Sequence, residues 1–223
     1  MARLAAPHEG SRIPAPVIAA LAAIAGALGT YALLMLWSAM AAAEQPLLWW
    51  AGRALGFLAY VALWLSMIFG TLVSSRGFGG RISQQWVMDL HQEWTLAAVI
   101  ATVLHVVVLV THAESGVTPW AAIIPLASER LTGAITLGTI GGLGLAVITL
   151  SSWMRSSIPY PVWRGIHALA FGSMILAIAH SIAAGTDSDT IAAQLLYLGT
   201  ASALGIVTAL RVAVAVMPAR RAT

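Results

Sequence analysis

Long apolar stretches dominate the chain, separated by short polar or helix-ending breaks. Six of them, at about 15–41, 49–73, 87–111, 131–151, 164–184 and 191–216, are each long enough to cross the roughly 30 Å hydrocarbon core of a bilayer, which takes about 20 helical residues. The breaks are Glu44, Gln45 and Pro46; the Ser74 to Gln85 stretch with Gly77, Gly79 and Gly80; Ser157 to Pro161; and Gly185 to Asp189. The longest connection, about 112–130, holds Pro119, Trp120 and Pro125 and is expected to lie along the interface as a short amphipathic piece. The first run ends in Ala41, Ala42 and Ala43, which resembles a signal cleavage site. At about 26 residues it exceeds the usual 7–15-residue signal core, so it reads as a span. The pattern predicts an all-α integral membrane protein: a tail over 1–14, one six-helix transmembrane domain over 15–216, and a tail over 217–223.

Composition narrows the choice further. Of the 223 residues 60% are apolar and 9% charged, against about 45–50% and about 25% in soluble domains, so no sizeable water-exposed domain fits beside the spans. The absence of Cys excludes disulfides, iron–sulfur clusters, thiol nucleophiles and covalently attached heme. The pI near 10.0 comes from eleven Arg and no Lys. Because these Arg lie mostly between apolar runs, they read as orientation and lipid-surface signals, not as a nucleic-acid patch. Arg3, Arg12, Arg76, Arg81, Arg155, Arg164, Arg211, Arg220 and Arg221 alternate onto one side, while Glu44, Glu114, Glu129, Asp187 and Asp189 fall on the other. The positive-inside rule then predicts a multi-pass protein of the cell inner (plasma) membrane with both termini cytoplasmic.

The histidines carry the candidate chemistry. His91, His105 and His112 fall on the third span, His167 and His180 on the fifth, and His8 outside them. A single polar residue in a span is usually a helix–helix hydrogen bond, whereas four on two spans form a pattern. His91 and His105 are 14 residues apart, about 21 Å along a helix; His167 and His180 are 13 apart, about 19.5 Å. Both spans run the same way, so His91 comes level with His167 and His105 with His180. Two imidazoles facing each other at one depth can supply both axial ligands of a b-type heme, so two pairs predict two stacked hemes b with these four residues as iron ligands. Zinc would need further ligands that two separated pairs lack. A proton or ion path would call for acidic or Lys residues deep in the spans, and only Asp89 and Glu93 lie near one. At about 100° per residue, 14 residues return within about 40° of one face, while 13 end about 140° away. The fifth helix is therefore expected to be irregular, around Gly172, or to present its two ligands on different sides.

These stretches, His91-Gln-Glu-Trp-Thr through His105 and Trp163-Arg-Gly-Ile-His167 through His180 and Asp187, resemble the ferric-reductase-like transmembrane family, as does Gly52-Arg53-Ala-Leu-Gly56. That family includes the membrane domains of ferric reductases and NADPH oxidases and the heme-binding subunit of the periplasmic methionine sulfoxide reductase system. The resemblance covers roughly 49–190. It implies an inner heme on His91 and His167, an outer heme on His105 and His180, and electron flow from inside to outside. Larger members append flavin and nicotinamide domains after the sixth span. Here the chain ends with Pro218 to Thr223, so the expected donor is a separate flavoprotein or a quinol, and the acceptor an outer-side protein or small molecule.

Two cations join the cofactor-binding candidates. Arg53, just inside the second span, needs an anion such as a heme propionate unless it snorkels to the interface. Arg164, one turn before His167, is the best inner propionate partner. His112 reads as an interfacial solvated residue, and Gly138 and Gly142 as a small-residue pair for ordinary helix packing. No residue is assigned a catalytic role. The expected function is transmembrane electron transfer in contact with membrane lipids; the alternatives are a non-catalytic subunit of a larger membrane complex and a proton- or ion-conducting protein.

Overall fold

A backbone inside a bilayer has no water to bond, so apolar runs of this length satisfy their own polar groups as helices. The computed structural model describes residues 47–74 and 83–216. It contains α1 (Leu47–Ser74), α2 (Gln84–Thr111), α3 (Thr132–Trp153), α4 (Tyr160–Ala184) and α5 (Ile191–Val216). All five are long and apolar enough to cross a membrane, so the chain is a multi-pass membrane helical bundle. The first expected span, both tails and the expected inner-side residues Arg76 and Arg81 lie outside the described residues.

Local chemistry sets the helix ends. Ser83 caps α2, its hydroxyl accepting from the Trp86 amide at 3.4 Å. Pro159 and Pro161 open α4, where a missing amide hydrogen costs nothing. The 112–130 connection forms no α-helix. Pro119 and Pro125 cannot donate to a helix, and the segment instead folds as successive turns onto the start of α3. The Thr139 hydroxyl donates to the Ala121 carbonyl at 2.8 Å, and the Leu126 amide donates to the Thr136 hydroxyl at 3.0 Å.

The helices form two tight antiparallel hairpins, α1 with α2 and α3 with α4, while α5 rests on α1. Gly141 and Gly144 admit close packing between α3 and α4, since a β-carbon there would press on Leu176 and Ser173. A core of Tyr60, Met67, Met174, Ala193, Tyr197 and Leu204 joins α1, α4 and α5. Trp64 and Tyr60 reinforce it, donating to the Thr200 carbonyl and pairing with the Thr200 hydroxyl. By contrast α2 and α4, which carry the histidines, lie across from one another without packing along their lengths. Helix α4 runs unbroken from Tyr160 to Ala184, through Gly172.

Candidate functional site

Hairpin pairing fixes the height of each histidine, and the result is two pairs across the α2–α4 seam. The His91 and His167 ring centres are 6.1 Å apart, and those of His105 and His180 are 6.5 Å apart. In each pair the rings stand nearly perpendicular, at 77° and 81°. All four side chains are only half-buried, as expected beside an open seam. Among the described residues no three His, Asp or Glu converge on one point, so the metal-capable groups come in twos.

Three of the four imidazoles share one seat. His105 Nδ1 lies 2.7 Å from the Gly52 carbonyl, His91 Nδ1 2.9 Å from the Ser66 carbonyl, and His180 Nδ1 2.8 Å from the Ala134 carbonyl. A carbonyl only accepts, so each Nδ1 carries the hydrogen and each Nε2 is left with its lone pair. One turn after each accepting residue stands a glycine, Gly56, Gly70 and Gly138 respectively, and the ring lies directly over it. A β-carbon at Gly56 or Gly70 would come within 3.0 Å of the ring, and at Gly138 within 2.7 Å. Glycine here is a matter of room for the imidazole. The expected packing pair thus divides, for Gly138 seats His180 whereas Gly142 has nothing within 4 Å.

His167 is held differently. Its Nδ1 is buried and finds no hydrogen-bond partner among the described residues. The ring stacks on Trp163, four residues earlier on α4, with centres 4.9 Å apart and planes 24° apart. The Arg155 guanidinium covers Trp163 at 4.6 Å, making a cation–aromatic–imidazole stack. The 13-residue mismatch on α4 is therefore absorbed by side chains. His180 swings onto α3, and His167 leans back along its own helix.

The cationic candidates find protein partners. Arg53 forms a two-point ion pair with Asp187, donating from Nε to Oδ2 at 2.9 Å and from Nη2 to Oδ1. Its guanidinium also sits 4.5 Å over the Trp50 ring. The anion that Arg53 needs is thus supplied by the α4–α5 connection, where the sequence reading looked to a propionate. Arg164 is exposed and donates to the Tyr160 hydroxyl at 3.3 Å, while Arg155 sits over Trp163, the ring that stacks on His167. His112, expected to be solvated, is buried edge-on against Trp49 at 5.9 Å.

A family model described as a domain of unknown function, DUF8596, matches residues 47–187. The chain belongs to that family. No curated protein and no solved structure matches it. The DUF8596 segment opens with α1 and closes at Asp187, so it contains all four paired histidines, the three glycine seats and both ends of the Arg53–Asp187 pair.

The paired imidazoles can be tested against a shared metal. Two metal–nitrogen bonds of about 2.0–2.1 Å, plus about 1.1 Å from each nitrogen to its ring centre, require ring centres roughly 6.3 Å apart. Both DUF8596 pairs sit within a few tenths of an ångström of that spacing. Helices α2 and α4 make little direct contact with each other across the seam that the pairs span. The spacing therefore fits a group held by two imidazoles, which His91 with His167 and His105 with His180 would supply.

Proposed function

We propose that this protein carries electrons across a membrane through two b-type hemes, one held by His91 and His167 and the other by His105 and His180. The observation that carries this reading is the pairing of imidazoles at two depths across an unpacked seam, at a spacing suited to one metal each. The resemblance to ferric-reductase-like membrane domains supports it as well. Bound heme would supply one-electron redox chemistry.

The chain's own residues do the rest. Carbonyls of Gly52, Ser66 and Ala134 hold three rings in the tautomer that frees Nε2. The ligand intervals of 14 and 13 residues separate the two sites by about 20 Å of helix rise. Arg155 and Arg164 lie at the His167 end of α4 and Asp187 and Asp189 beyond its His180 end. The positive-inside rule then favours the His91–His167 pair facing the cytoplasm of an inner-membrane protein, with both termini inside. Electrons would enter there from a separate flavoprotein or a quinol and leave to an acceptor outside.

The test is a pyridine hemochrome assay on detergent-purified protein. The expected result is two b hemes per chain, one lost in both His91→Ala and His167→Ala, the other in both His105→Ala and His180→Ala. A heme-free preparation, or losses that cross between the pairs, overturns the proposal.

A further inference from the structure

The turn that joins α3 to α4 gathers hydrogen-bond donors around a cavity lined by no carboxylate. Arg155 to Ser157 form one tight turn between the two helices, and an open cavity of about 230 Å³ there is lined by Arg155, Ser156, Ile158 and Tyr160. The Arg155 guanidinium lies 5.9 Å from the Tyr160 ring centre and 4.6 Å from that of Trp163. None of its N–H groups has an acceptor among the described residues, and the Ser156 hydroxyl has no partner there either. Arg164 donates to the Tyr160 hydroxyl at 3.3 Å, which leaves the hydrogen of that hydroxyl free to donate. Among the described residues only Arg53 has a carboxylate partner, so both guanidinium charges at this turn are unbalanced. Arg155 is also held before any ligand arrives, because stacking on two rings restricts its rotamers and lowers the entropy cost of binding.

The surroundings specify the anion. Helices α3 and α4 are both long and apolar enough to cross a membrane, so the turn between them lies at a membrane boundary. Trp153, Met154 and Val162 beside it are all more than half exposed, an apolar surface suited to acyl chains, with the tryptophan at a span end where interfacial anchors sit. The cavity is smaller than the roughly 300–1,000 Å³ that encloses a drug-sized ligand, so it takes a headgroup while the rest of the molecule lies along the helices. A phosphate diester offers acceptor oxygens only, which match a set of donors and the planar guanidinium fork. We propose that the α3–α4 turn binds the phosphate of an anionic phospholipid, Arg155 and Arg164 supplying the charge and Ser156 and Tyr160 the neutral donors. A zwitterionic headgroup brings its own cation and leaves the two arginines unbalanced, so the site discriminates against it. The inference stands on these contacts and on the membrane-crossing helices, and is independent of the heme reading.

The experiment is native mass spectrometry of the full chain in detergent, titrated with phosphatidylglycerol or with phosphatidylcholine of the same acyl chains. Phosphatidylglycerol is expected to bind first and more tightly. Arg155→Gln and Arg164→Gln should each weaken that first lipid roughly fivefold, whereas Arg211→Gln, on α5, should leave it unchanged. Arg155→Lys should weaken it too, since an ammonium keeps the charge and loses the stacked fork. Arg155 and Arg164 are exposed, so these substitutions remove no buried packing, and circular dichroism checks the helix content of each variant. Equal binding of the two lipids, or an equal loss in Arg211→Gln, overturns the site. Full binding by Arg155→Lys reduces it to surface charge and overturns the built cavity. Displacement of the lipid by an excess of inorganic phosphate assigns the donors to a soluble anion and overturns the lipid as occupant.

Discussion

Adding one methyl group at Gly138 tests the imidazole seat directly. The new β-carbon would lie 2.7 Å from His180 Nδ1 and 2.8 Å from Cε1, against an ordinary contact distance of about 3.5–4.0 Å between heavy atoms. The ring must therefore retreat by roughly 1 Å, which breaks its 2.8 Å bond to the Ala134 carbonyl. Losing that bond costs about 1 kcal/mol, and overpacking the site adds about 1–3 kcal/mol. Alanine's better helix propensity returns about 0.8–1 kcal/mol. The net expectation for Gly138→Ala is a loss of about 1–3 kcal/mol. Gly142→Ala, one turn along the same helix, meets nothing within 4 Å and should be neutral or stabilising by up to about 1 kcal/mol. Reversible unfolding in mixed detergent–SDS micelles, followed by circular dichroism, compares the two. Equal stability of the variants would refute the claim that Gly138 exists to admit His180.

Four further expectations concern other parts of the bundle. Arg53→Gln and Asp187→Asn should each destabilise, and a double-mutant cycle between them should give a coupling of about 1 kcal/mol, as for a well-aligned pair a quarter exposed. No coupling in the same micelle assay would remove the latch between α1 and the α4–α5 connection. Met174→Ala, at 1% exposure in the core that joins α1, α4 and α5, should cost about 2–4 kcal/mol; a cost below about 1 kcal/mol would mean that this core is not continuous. His112→Ala should leave the proposed hemes in place, because its ring packs on Trp49 and joins neither histidine pair; heme loss in that variant would assign it a ligand role. Tyr60→Phe should cost about 1 kcal/mol through the lost Thr200 hydroxyl contact, and Thr200→Val should then add little to it.

The positions of the spans were legible because a bilayer imposes one length on every apolar run, and α1 to α5 begin and end within a few residues of the runs read from the sequence. The meeting of His91 with His167 and of His105 with His180 was also legible, since parallel rods with similar intervals bring their residues level. What the imidazoles rest on was not. That depends on the register of each hairpin, which connection length and packing decide and hydropathy does not encode. A signal for the seats was nevertheless present: the 14-residue interval of Gly56 and Gly70 repeats that of His91 and His105. Arg53 and Asp187 were both noticed in the sequence but not as a pair, because 134 residues separate them. The expectation for α4, an irregular helix or ligands on different sides, treated side-chain direction as fixed by backbone phase. A histidine has enough reach to bend around that constraint.

The separateness of the two hairpins bears on how the protein is built. Each hairpin closes on neighbours adjacent in sequence, so each is complete as soon as its second helix has entered the bilayer. The two halves, in contrast, adhere through α5 and the contacts of α1 with α4, and leave α2 and α4 uncemented. A molecule lodged between them would act as mortar, binding the joined halves in preference to the parted ones. Biogenesis would then end with the arrival of that molecule, and chains still waiting for it would be the ones quality-control proteases remove first.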